Sequence, residues 1–238
     1  MNHNYNKGYE QLAVEVMNTA SQALLPMLTA ARAGKSSPRD VGVRFFASMD
    51  AATAKSSEPL ACDGGCSYCC HYHVYLTAFE AFLIAEHIDA QFREEDKKAV
   101  IERLEANLRQ ITGMTAQQHV LTNVACALLS PTGKCSIYPV RPIACRRHHA
   151  LNATACRVTF EDPASPMVSH KSPYREATAE GFTVAANISC RQVGLDSLYY
   201  EMNGALHEAM TNRASLRRWR DGKISFPSVK DRVSGPGA

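Results

Sequence analysis

No run of about 20 apolar residues occurs in this chain, so no helix long enough to cross a bilayer is expected and no membrane partner is read. The longest apolar-looking stretch, around Val74 to Ile88, is interrupted by Glu80 and Glu86. The first eleven residues are polar and offer no apolar core of a secretory signal, which points to a reducing, cytoplasmic setting. Neither GxGxxG nor GxxxxGK[ST] is present, so a nucleotide site of the Rossmann or P-loop kind has no support. Excess charge of one sign is also missing: 26 Lys+Arg face 23 Asp+Glu, a net +3. That excludes a strongly basic nucleic-acid binder of the histone type. No internal repeat is visible.

Cysteine is what the chain does have, nine in 238 residues. The count is odd and too sparse for a disulfide-stapled miniprotein, and in a reducing compartment clustered thiols are metal ligands or redox groups. The first group, Cys62, Cys66, Cys69 and Cys70 in CDGGCSYCC, is C-x3-C-x2-C-C, with Gly64 and Gly65 giving the backbone freedom for several thiolates to converge. The second is Cys126, Cys135, Cys145 and Cys156. A tetrahedral zinc or a cubane cluster takes four protein ligands, so eight thiols suffice for two centres. Adjacent Cys69 and Cys70 point to opposite sides if extended and so suit two centres rather than one. Cys190, alone at a helix end, reads as a small buried hydrophobe.

Cations beside thiolates lower their pKa, so Arg141, Arg146, Arg147, His148 and His149 around Cys145 are candidates for a supporting or anion-binding shell. His71 and His73 flank the first group in the same supporting role. Arg213, Arg217, Arg218 and Arg220 surround Trp219, a cluster best read as a solvated helix end with the indole on the core. Nucleic acid is therefore not an expected partner.

Apolar spacing marks helices over 8–33, kinked or split at Pro26, and from Ser37-Pro38-Arg39-Asp40 through Ala52. A loop over 56–72 leads into a short extended stretch at His73 to Leu76. A Thr77/Glu80 capping box then opens the next helix, and another starts near Glu94. Residues 126–156 read as a second irregular loop that a bound metal would organise. Helices are expected over 174–189 and 195–212. The fold class is thus mostly α, a single helical domain with two cysteine-rich loops joined by metal and little strand. Its parts are a helical leader over 1–57, a cysteine-cluster core over 58–160, C-terminal helices of the same domain over 161–230, and a disordered tail over 231–238.

The motifs CDGGCSYCC, VYLTAFEAFLIA, CALL and GKCSIYPVRPIACR, followed by Cys156, resemble the YkgJ-type cysteine-cluster proteins over roughly residues 58–160. Those are described as zinc- or iron-chelating, and the flagellin lysine N-methylases are similar in carrying such a cluster. The resemblance implies metal chelation by these cysteines. Cys-only ligation suits zinc and iron–sulfur alike, with [4Fe–4S] the favoured cofactor. The C-x3-C-x2-C spacing is also that of radical S-adenosylmethionine enzymes, but the alternating strand–helix series of their barrel is missing. S-adenosylmethionine therefore stays open, without a nucleotide motif behind it. Three roles remain open: an enzyme acting on an unknown protein or small-molecule substrate, an electron-transfer or redox-sensing module, and a zinc-stabilised binding module.

Overall fold

The computed structural model describes residues 3–62 and 65–235. Gly64, assigned a role in the first cysteine group, and the last three residues of the expected tail lie outside them. Helices dominate: α1 His3–Arg32, α2 Pro38–Thr53, α3 Ala78–Gln91, α4 Glu94–Ile111, α5 Ala116–Thr122, α6 Ile143–Arg147, α7 Ala153–Glu161, α8 Pro173–Gln192, α9 Met202–Thr211 and α10 Ala214–Arg220. Strands are short: β1 Tyr75–Thr77, β2 Tyr199–Glu201 and β3 Arg232–Val233, in antiparallel order β1-β2-β3. The protein is mostly α, as its apolar periodicity implies. Among the described residues no helix is long and apolar enough to cross a membrane.

Local signals account for several boundaries. Ser37 Oγ accepts from the Asp40 amide at 3.1 Å and Asp40 returns an oxygen to the Ser37 amide, which starts α2. Glu80 accepts from both the amide and the hydroxyl of Thr77, at 2.8 and 2.7 Å, and starts α3. Each box satisfies amides that a helix start leaves without intrahelical partners.

Other boundaries depart from the periodicity. The helix α1 is not split at Pro26, which sits on its exposed face. The expected helix over 195–212 is instead a turn, β2 and then α9. Asp196 accepts from the Leu198 and Ser225 amides and from the Tyr200 hydroxyl, while Glu201 accepts from the Asn203 and Gly204 amides. Those carboxylates bend the chain and cap a new helix start, outweighing the apolar spacing. The segment 126–156 is not an irregular loop throughout, since it contains α6 and the start of α7. Nor is 231–235 disordered: Arg232–Val233 pairs with β2, which saturates one side of that strand.

The core gathers Leu24 and Leu28 of α1, Phe45, Phe46 and Met49 of α2, Phe79 and Leu83 of α3, and Phe182 of α8, with Tyr200, Leu206, Trp219 and Phe226. Trp219 is fully buried and Arg220 bonds the Ala31 carbonyl, so that basic cluster is helix end and core. Cys190 lies wholly inside the core.

Helices α1 and α8 pack along one another, and Gly181 faces α1 at close range. A Cβ there would lie 2.7 Å from the Ala13 carbonyl oxygen and 2.8 Å from Val16 Cβ. Gly181→Val is therefore expected to force the helices apart and lower stability by about 2–3 kcal/mol, read as a fall in the urea midpoint. Gly8→Ala, with nothing within 4 Å of the new methyl, should hold or raise that midpoint.

Candidate metal centre

Short elements bring the cysteine segments together. A 3-10 turn, Tyr68–His71, carries Cys69 and Cys70. Phe160 of α7 lies against both Tyr68 and His71, with ring centroids 5.5 and 4.7 Å apart. The amide of Cys126 donates to the Cys70 carbonyl at 2.8 Å, so the two cysteine groups meet through their backbones. Ala61 donates to the Ala150 carbonyl, and the Ala150 amide donates to Cys62 Sγ at 3.3 Å. From α4, Arg103 and Asn107 hold the carbonyls of Ala127 and Ala125 on either side of Cys126. A tight turn then reverses the chain at Gly133, whose φ of 75° suits glycine, and pairs Leu129 with Cys135. Cys145 rides on α6, whose first amide, Ile143, donates to the buried Glu80 carboxylate at 2.8 Å.

The result is a cavity of about 240 Å³ walled by seven cysteines: Cys62, Cys66, Cys69, Cys70, Cys126, Cys135 and Cys145. Cys156 is not on that wall. It is buried on α7, with Ser169 Oγ 3.9 Å from its sulfur, yet close enough for its charge to affect Cys62. Apolar side chains such as Val74, Val124, Leu128, Ile137 and Met202 complete the surface. No disulfide joins any of the nine cysteines.

Five of the cavity thiols are shifted toward their protonated form. Burial pushes Cys126 up to about 12 and raises Cys145 well above the ordinary thiol value, with Cys126, Cys69 and Cys135 adding to the rise at Cys145. Cys69 is raised first by its hydrogen bond to Cys70 and then by burial. Burial also raises Cys135 and Cys62. Opposing these shifts, the Leu128 amide donates to the Cys126 sulfur and the Ile137 amide to the Cys135 sulfur. An amide two residues beyond a cysteine and aimed at its sulfur stabilises thiolate, the form a metal takes. Arg141 adds positive charge that favours ionised Cys135, Cys69 and Cys145.

The donor set therefore fits a thiolate-bound metal: soft sulfurs around a sheltered space, with backbone donors at Cys62, Cys126 and Cys135 and the positive charge of Arg141 bearing on Cys69, Cys135 and Cys145. As placed, no three Cys, His, Asp or Glu side chains among the described residues converge tightly enough to hold a single ion. The sulfurs are spread around the cavity instead.

The supporting residues divide. Arg141 lines the cavity, its guanidinium 3.8 Å from the centroid of the Tyr138 ring. His148 lines it too, edge-on to Tyr72, its buried Nε2 without a protein partner. Burial holds that imidazole down near 4. The other three are turned to structural tasks. Arg146 binds Asp50 and the carbonyls of Arg141 and Pro139, Arg147 pairs with Glu180, and His149 bridges the Arg147 carbonyl and the Ser172 amide. His71 reaches the Ser67 carbonyl.

Sequence reasoning passed over His119, Glu201 and Asn203, all on the cavity wall, and Asp231, bound to His73 just behind it. His119 sits in a short amphipathic helix and Asp231 in what reads as a tail, so neither position carries a local signal.

No curated protein and no solved structure matches the chain. Residues 61–172, which hold eight of the nine cysteines, match a family model described as "CxxCxxCC: Putative zinc- or iron-chelating domain".

Proposed function

We propose that this protein holds an iron–sulfur cluster, of the [4Fe–4S] kind, in the thiol-lined cavity, and works in a reducing compartment such as the cytoplasm. One observation carries the reading: seven cysteines surround a common space of about 240 Å³ without converging on one point. A zinc ion bonded to four thiolates at about 2.3 Å closes its site completely. A cluster brings inorganic sulfide and iron of its own and suits sulfurs that stand apart.

Cys69, Cys126, Cys135 and Cys145 are the first four-thiol set, because Cys69 and Cys135 bear electrostatically on both Cys126 and Cys145. Cys62, Cys66 and Cys156 form a second group, since the latter two bear on Cys62 in the same way. Cys69 also reaches Cys62, and Cys70 adjoins it. When bound, a centre with only three protein sulfurs supplies an open position for an exogenous ligand. That supports an enzyme acting on a protein or small-molecule substrate over a purely structural site. Arg141 would balance the negative charge of the thiolates.

Metal analysis and a visible spectrum of anaerobically purified protein test this. A brown sample with broad visible absorption and several irons per chain is the expected result. A colourless sample with zinc, no iron and no cluster after reconstitution with iron and sulfide would overturn the cluster in favour of a zinc site.

A further inference from the structure

Part of the cavity wall carries no thiol. His73, His119, Glu201 and Asn203 line it, with Met202 and Val74 beside them. The His73 side chain is only 5% exposed, and its Nε2 meets Asp231 Oδ2 at 2.9 Å. The other oxygen of Asp231 accepts the Tyr75 hydroxyl, and the Tyr75 ring stands edge-on to the imidazole, centroids 4.5 Å apart. A carboxylate bonded to one imidazole nitrogen keeps the proton there, so His73 is the Nε2–H tautomer and its lone pair is on Nδ1. No protein group among the described residues bonds that Nδ1. A carboxylate on the opposite nitrogen strengthens Nδ1 as a hydrogen-bond acceptor.

The surroundings suit an acceptor there. His119 lies 5.0 Å from His73, ring centroid to centroid, at 88°. Burial and the charge of His73 hold His119 below the ordinary imidazole value, so it adds polarity without a competing positive charge. Glu201, across the β1–β2 pair, is raised by burial, and its oxygens are occupied by Asn203 and Gly204. Asp231 is thus the anion that faces His73 directly.

We propose that His73, positioned by Asp231, makes this wall a hydrogen-bond-accepting subsite for a small, largely apolar ligand carrying a single O–H or N–H group. The ligand's apolar body meets Val74 and Met202. Its O–H or N–H donates a hydrogen bond to His73 Nδ1, while Asp231 holds the opposite ring nitrogen. The inference rests on the cavity also being the metal site, and it names the class of molecule that shares the space.

Phenol is the probe, an apolar ring with one weakly acidic hydroxyl, and toluene is its counterpart without the donor. Both are titrated into the full, metal-loaded chain, with affinity read by calorimetry and the His73 ring nitrogens read by 15N NMR. Phenol should bind about tenfold more tightly than toluene and shift the His73 Nδ1 resonance. His73→Phe should erase the preference. Asp231→Asn should reduce it several-fold and turn His73 from one tautomer into a mixture, with metal content unchanged. Equal binding of the two probes, no binding of either, or a preference that survives in both variants overturns the subsite. A phenol preference in a chain that takes up neither iron nor zinc overturns the metal reading alone.

Discussion

Cys145→Ala is expected to strip the chain of most of its metal and of most of the stability that metal provides. Cys145 lies on α6, walls the cavity, and is coupled electrostatically to Cys126, Cys69 and Cys135. Metal binding free energy at a thiolate site is also folding free energy, on the order of 10 kcal/mol for structural zinc. Cys190→Ala is the internal comparison. That residue is fully buried in the core and touches none of this chemistry, so its loss should cost about 1–3 kcal/mol with metal content intact. The difference between the variants should vanish in excess chelator, where both lack metal. Full metal content in Cys145→Ala would refute a role for the second cysteine group in the centre.

Glu80→Ala has the next largest expected effect, a loss of about 3–4 kcal/mol of stability. Glu80 is 2% exposed and holds three donors, the amide and hydroxyl of Thr77 and the amide of Ile143. Its removal leaves buried amides at the starts of both α3 and α6 without a partner, and it unpins the helix that carries Cys145. Urea unfolding reads the loss, and metal content should fall with it. Glu80→Gln keeps one oxygen and should cost less. It should also remove a pH dependence: burial raises the Glu80 carboxyl above 4.5, so the folded state holds that proton more tightly than the unfolded chain does. The associated stability is present below pH 4.5 and lost as pH rises through the raised value. An Ala variant as stable as wild type would mean that water replaces the carboxylate.

Much of the scaffold was legible because its signals are local. Ser37 and Asp40, and Thr77 and Glu80, bracket helix starts by chemistry confined to one turn, and both boxes form. The spacing of Val41, Phe45, Phe46 and Met49 likewise marks the buried face of α2. Periodicity misled over 195–212, where Asp196 and Glu201 collect donors from a turn, a strand and a helix start. An apolar stripe records which residues are buried, not whether carboxylates interrupt the helix that would bury them.

By itself the sequence determined that thiols dominate the chemistry, that they fall in two clusters, and that helices surround them, because residue identity and short spacing suffice for each. Only the tertiary structure decided which side chains share a space. It put seven cysteines on one wall and left Cys156 off it, turned Arg146 toward Asp50 and Arg147 toward Glu180, and left Arg141 as the guanidinium at the sulfurs. It also brought Asp231 to His73, 158 residues away. Those pairings follow from how α6 packs against α8 and β1 and from the β1-β2-β3 sheet, and contacts of such long range leave no periodic trace in the chain.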